Sequence, residues 1–288
     1  MPMLLIEGAF HIKGARPDGD SIHFTPDDPT AWNLLNGPGR PVQHNGVGRT
    51  QLRLDAIDTL ETHYGRSGRE VHQPLEFAHA GADELLAFLG FTGVSRDGNE
   101  TVTAVDTDGL PGYILTRGAD DYGRCVALVG KGAPPAAGGT QVHVDIPMLQ
   151  QTANHHLLST GMAHPTYYTN LFPDLRDEFT AAVHAAQAAG AGLWPKDVTI
   201  SGATVTGLSS LTDDVVILPK LFRRLVDYLR LSPGNPSLAG FEGYLAREAD
   251  KYFILSTGHP TTGLDFVVEV VNSTVRMTHP AEDLVFDE

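Results

Sequence analysis

Near the start of the chain, apolar and polar side chains alternate in several short stretches. This period of two predicts strands at residues 4–12, 21–24 and 51–57. In the last of these, Leu52, Leu54 and Ala56 face one side, while Arg53 and Asp55 face the other. The turn Gly14-Ala15-Arg16-Pro17-Asp18-Gly19-Asp20 joins the first two and sets acidic side chains at a strand entrance. Residues 25–48, rich in Gly, Pro and Asn, read as a long loop. After Pro74 the period changes: Leu75, Ala78, Ala82, Leu85 and Leu89 recur every three or four positions before Gly90, which predicts a helix with a glycine stop. Strands are predicted again at 101–105, 112–115 and 126–129, the last two joined as a hairpin through Asp120-Asp121-Tyr122-Gly123. Helices follow at about 148–160 and 174–189, the second opened by Pro173 and by Asp174, Asp177 and Glu178, acids that suit the positive end of a helix dipole.

Beyond Trp194-Pro195 the texture shifts to a strand at 198–205, an amphipathic helix carrying Leu221, Phe222, Leu225 and Leu229, and a β-rich end at 266–271 and 274–277. The chain therefore divides into residues 1–197, an α+β domain of strands and three helices, and residues 198–288, an α+β extension without a recognisable motif. All candidate chemistry precedes the extension. A protein partner is one expectation for it, and the sequence is silent on oligomeric state.

Composition narrows the function classes. The lone Cys125 excludes an internal disulfide and a cysteine-based zinc cluster, and strand alternation turns it away from Arg124, as a buried thiol would be. No basic and apolar leader is evident, and no apolar run approaches bilayer-spanning length, so the expectation is a cytoplasmic protein with no membrane association. With 20 Lys and Arg against 35 Asp and Glu, the net charge is -15. A broad basic footprint is thus missing, and tight sequence-independent binding through phosphates is disfavoured; a local cationic site is still open. His143 with Asp145, and the pair His155-His156, supply too few ligands for a metal site of known geometry.

Taken singly, the remaining candidates are ordinary. Asp18 and Asp20 beside glycine form turns, Arg53 and Asp55 form a solvated pair, and Asp-Tyr-Gly-Arg is a hairpin turn. Their order and spacing say more. The segments Asp18-Gly19-Asp20-Ser21, Leu52-Arg53-Leu54-Asp55-Ala56-Ile57-Asp58-Thr59-Leu60-Glu61 and Asp121-Tyr122-Gly123-Arg124 resemble, in order, the three active-site signatures of the staphylococcal nuclease (thermonuclease) family. Gln73-Pro74 resembles the entry to that family's first helix, residues 148–163 its second, and residues 175–194 its last helix with the tryptophan after it. Leu60 stands where the family usually has proline, and Asp121 where it can have lysine.

The resemblance implies an OB-fold five-stranded β-barrel with three helices over about residues 4–197. It also implies a calcium-dependent nuclease that hydrolyses DNA or RNA phosphodiesters and leaves 3′-phosphate ends. Calcium would rest on Asp20, Asp58 and the Thr59 carbonyl, hard oxygen donors for a hard cation. Glu61 would activate water, Arg53 and Arg124 would stabilise charge on the phosphoryl group, and Tyr122 and Tyr167 would lie near the nucleotide. Asp121 in place of lysine implies weaker or more restricted substrate binding. The reading from another class is a non-catalytic OB-fold module that binds nucleic acid or protein.

Overall fold

The structure is a computed structural model that describes residues 1–35 and 40–287, so part of the loop expected at 25–48 lies outside the described residues. The barrel begins with β1 (Pro2–His11), β2 (Ser21–Pro26) and β3 (Thr50–Leu54), followed at a sharp turn by β4 (Ile57–Asp58). The alternation at Leu52 and Leu54 is realised as expected: both are fully buried, while Arg53 faces outward. Helix α1 (Leu75–Leu89) buries Ala78, Gly81, Ala82, Leu85 and Leu86 and stops at Gly90, whose φ of 95° is the left-handed cap that glycine adopts without strain. A small hairpin, β5 (Ser95–Arg96) and β6 (Val102–Ala104), precedes β7 (Leu110–Ala119), β8 (Cys125–Lys131) and β9 (Gln141–His143).

Register closes the barrel. Strand β1 pairs antiparallel with β2 through Phe10↔Phe24 and with β7 through Ile6↔Ile114. Strand β2 pairs with β3, β3 runs parallel to β8 through Leu52↔Cys125, and β8 returns to β7. Five strands thus make a closed mixed barrel, with β9 added beside β1. The class is α+β, as the order of elements implied, and the barrel is OB-like, as the resemblance implied.

The helix expected at 148–160 is broken. Helix α2 (Ile146–Leu149) ends, and α3 (Ala153–Ser159) starts afresh behind Thr152, whose side chain accepts from the His155 amide at 3.2 Å. Thr152 also forms a bridge to Gly130 of the barrel, so its backbone is drawn out of helical geometry. Strands β10 (His164–Pro165) and β11 (Tyr167–Tyr168) and helix α4 (Pro173–Ala189) complete this part.

In the extension, only β12 (Ala203–Thr204) survives of the strand expected at 198–205. Asp197 accepts from both the amide and the hydroxyl of Thr199 at 2.9 Å, which folds the earlier residues into a turn. Helices α5 (Pro219–Leu231) and α6 (Phe241–Glu248) follow, then β13 (Lys251–Ile254), β14 (His259–Thr262), β15 (Val268–Val271), β16 (Thr274–Met277) and β17 (Leu284–Phe286). Strand β17 lies between β13 and β11 and runs parallel to the latter, with Tyr167↔Val285. One apolar cluster fills the barrel and a second lies under α5 and α6. Between them Leu60, Ala78, Leu193 and Val216 form a small seam, so Leu60, at the position where proline was expected, serves as a buried apolar contact. Among the described residues no helix is long and apolar enough to cross a membrane.

Candidate active site

Two of the three signature segments, those carrying Asp20 and Arg53 to Glu61, converge on the outer face of β3, where Arg223 of α5 meets them. Asp20 closes the first turn and enters β2; its carbonyl accepts from the Leu54 amide at 2.8 Å, and Ser21 sits opposite Arg53. Between β3 and β4 the chain turns at Ala56, whose φ is 66°. Buried Asn154 of α3 holds that turn, donating to the Asp55 carbonyl at 2.8 Å and accepting from the Val129 amide at 2.9 Å. Asp58 and Glu61 are thereby brought to the same outer face. Thr59 lies behind them, packed on the backbone of Gly19 and near Gly81 of α1. A Cβ at Gly19 would stand 2.6 Å from Thr59 Cγ2 and 2.9 Å from the Gly81 carbonyl carbon. Gly19→Ala is accordingly expected to destabilise the fold by about 1–3 kcal/mol, read as a lowered midpoint in urea with an unchanged slope.

The cluster is acidic, buried and balanced by arginine. Arg53 lies 3.9 Å from Asp20 and 3.8 Å from Asp58. Burial pushes Asp20 well above the usual carboxylate range, helped by Asp18, Asp58 and Glu61 and opposed by Arg53. Burial acts on Asp58 in the same sense. There, however, Arg223 and Arg53, with hydrogen bonds from Arg223 and Asp20, prevail and hold it below its usual range. Glu61 is raised to about 7, chiefly by burial, against the pull of Arg223. That value suits a group that must take up a proton near neutrality.

Arg223, on α5, was not among the residues singled out from sequence. It meets Asp58 with two nitrogens, at 3.0 and 2.7 Å, and meets Glu61 Oε1 at 2.6 Å. Gln73, read from sequence only as part of a helix entry, also belongs here: fully buried, it accepts from the Glu61 amide at 3.2 Å and donates to the Ile217 carbonyl at 2.8 Å, tying the acidic loop to the approach of α5. One signal was present in the sequence. A group of acids this dense needs nearby positive charge, and the adjacent Arg223-Arg224 flank the apolar stripe of the helix.

The other expected site residues are placed differently. Arg124 immediately precedes β8, and its guanidinium bonds to Asp120 at 2.8 and 2.7 Å. Tyr122 is 77% exposed, with the Arg124 guanidinium carbon 5.7 Å from its ring centre. Tyr167, expected near a nucleotide, is fully buried and its hydroxyl meets Thr180 at 3.0 Å, so the ring has no surface to offer a ligand. Its neighbour Tyr168 lies close enough to Arg53 to affect that charge. Cys125 is buried against Thr116, and burial pushes its thiol up to about 12.

Calcium needs oxygen donors turned toward one point. Both Asp58 oxygens are instead turned to Arg223, while Asp20 Oδ2 faces the Thr59 amide at 3.4 Å and Arg53 at 3.9 Å. Among the described residues no group of three or more His, Cys, Asp or Glu side chains is disposed to hold a metal ion. Asp20, Asp58 and Thr59, as arranged, do not fit a calcium ion: the cationic position beside Asp58 belongs to a guanidinium.

No family model matches the chain, and no curated protein matches it.

Proposed function

We propose that the protein is a hydrolase of nucleic-acid phosphodiester bonds, acting on DNA or RNA through Glu61 and Arg53. The observation that carries this reading is the meeting, on one outer barrel face, of a glutamate whose proton affinity lies near neutrality and an arginine set back from its carboxylate neighbours. Arg53 is 3.8–3.9 Å from Asp20 and Asp58, longer than a strong hydrogen bond, so its donors are suited to meet phosphoryl oxygens. Arg223 holds Glu61 Oε1, and Oε2 is the oxygen that would face water. The proton passes from water to Glu61, a new P–O bond forms, and the bond to the leaving oxygen breaks as that oxygen takes a proton from solvent. Guanidinium charge offsets the charge that builds on the phosphoryl oxygens. If the staphylococcal-nuclease resemblance extends to regiochemistry, the leaving oxygen is the 5′ oxygen and a 3′-phosphate remains.

A polar cleft lined by Arg16, Ser21, His23, Gln51 and His63 lies on the strand pair that carries Arg53, where Ser21 is its register partner. Gln51 donates to Ser21 at 3.2 Å, so the outward residues of β2 and β3 form one continuous surface leading to Arg53. A nucleotide bound there would present its phosphate to the site. The lone buried thiol suits a reducing compartment, and the cytoplasm is the place of action in this reading.

The bonding of Arg124 to Asp120, away from the acidic cluster, favours a second reading, a barrel that binds nucleic acid without cutting it. Incubation of the full chain with end-labelled single- and double-stranded DNA and RNA, in calcium and in chelator, separates the two. New ends support hydrolysis; a mobility shift with intact strands supports the binding module; neither result leaves both readings without support.

A further inference from the structure

Four carboxyl groups, Asp18, Asp20, Asp58 and Glu61, crowd a site where burial weakens solvent screening. Uncompensated, such a group would repel itself apart, and the usual remedy is a divalent cation. Here the guanidinium of Arg223 stands between two of them, with both Asp58 oxygens and one Glu61 oxygen within 3.0 Å. The contact with Asp58 is bidentate, the geometry in which a planar guanidinium fits a carboxylate best.

Arg223 is not a chance surface rotamer. Its side chain is only 22% exposed, and the helix that carries it is fastened on several sides. Arg224 forms a fork on Asp250 at 2.9 and 2.8 Å, and Lys220 reaches the same carboxylate at 3.2 Å. From the opposite side, Tyr64 donates to Asp227 at 2.6 Å and its ring packs edge-on against Phe222. Gln73 bridges the acidic loop and Ile217 just before the helix. The charged groups that bear on Arg223 are Asp58 and Glu61, with Arg53 and Lys220 acting in the opposite sense. Removal of the guanidinium would therefore leave the acids facing one another across a fixed gap.

We infer that Arg223 is the resident cation of this site: it positions Asp58 and Glu61 in the place where a divalent metal would otherwise be required. Residues 198–288 are then an integral part of the site. This holds whether the site cuts or only binds, since it concerns how the acids are held. Arg223 is a positioning residue for Glu61, and the protein needs no calcium to hold its carboxylates together.

The test is thermal unfolding and calcium titration of the full chain. Wild type, Asp58→Asn, Arg223→Lys, Arg223→Ala and the double variant Asp58→Asn/Arg223→Ala would be compared in millimolar calcium chloride and in chelator. Wild type is expected to unfold at the same temperature in both. Arg223→Ala should unfold roughly 10 °C lower in chelator and recover part of that loss in calcium, because a metal can then enter the vacated position. Arg223→Lys, which keeps charge without the fork, should fall between them. The double variant should be more stable in chelator than Arg223→Ala alone, since the carboxylate left unpaired is gone. The inference is overturned if wild type binds one calcium ion that Asp58→Asn abolishes, or if Arg223→Ala loses no stability and gains no response to calcium. If Arg223→Ala does not fold, the titration of wild type against Asp58→Asn still decides the matter.

Discussion

Glu61→Gln should lower the rate of phosphodiester cleavage by about 10²- to 10⁴-fold while changing substrate affinity little. The substitution keeps the side chain's length and leaves an oxygen to accept from Arg223, but removes the group that takes the proton from water. Burial raises Glu61 to about 7, so the wild-type rate should climb with pH through that value as the ionised form accumulates, and the climb should vanish in the variant. Stability should run the opposite way. A carboxyl raised from its unfolded value of 4.5 to about 7 binds its proton more tightly when folded, so folding is favoured at pH below 4.5 and loses that contribution as pH rises through 7. At 1.36 kcal/mol per pH unit the loss is about 3 kcal/mol, and Glu61→Gln should flatten that part of the profile. Single-turnover rates and binding measured across pH 5–9 check the catalytic half, and urea midpoints measured across pH 4–9 check the stability half. A wild-type rate in the variant with unchanged binding would remove Glu61 from the chemistry.

The second large effect concerns Tyr167. The ring is fully buried in the barrel cluster, and its hydroxyl meets Thr180. Truncation to alanine removes a large apolar contact and leaves a cavity in that cluster. The expected cost is about 3–5 kcal/mol, against about 1 kcal/mol for Tyr167→Phe, which loses the hydrogen bond alone. Neither variant, measured where it is folded, should bind nucleic acid more weakly. Chemical denaturation and a binding titration at low denaturant check this pair of outcomes. Weaker binding by Tyr167→Phe at undiminished stability would return the residue to the binding surface.

The barrel was legible because its signals are local. Alternation around Leu52 and Leu54 placed Arg53 on the outside, Gly90 marked the end of α1, and Asp120-Asp121-Tyr122-Gly123 marked the turn between β7 and β8. The misses depend on distant partners. Thr152 breaks a helical pattern because Gly130 is there to pair with it. Tyr167 and Tyr168 are adjacent and chemically alike in sequence, and which of them turns to the core is decided by β11 docking on β17. Helix α6 and strands β13, β14 and β17 are too short to show a clear period. Within the site, Asp20, Arg53, Asp58 and Glu61 are drawn together, as the resemblance implied. Arg223 could not be placed there from sequence, since nothing local links a helix at 219–231 to a loop at 58–61.

Strand β17 has one more consequence. Its middle residue, Val285, packs in the barrel cluster, while Leu284 and Phe286 on either side pack in the second cluster. Three consecutive residues thus belong to two cores, and their backbone is paired on both edges. Neither core can open around this strand without exposing the other, so the two should behave as one cooperative unit. Amides of β11 and β17 should exchange with solvent deuterium at a rate set by whole-molecule opening, and a heating scan should show a single heat-absorption peak.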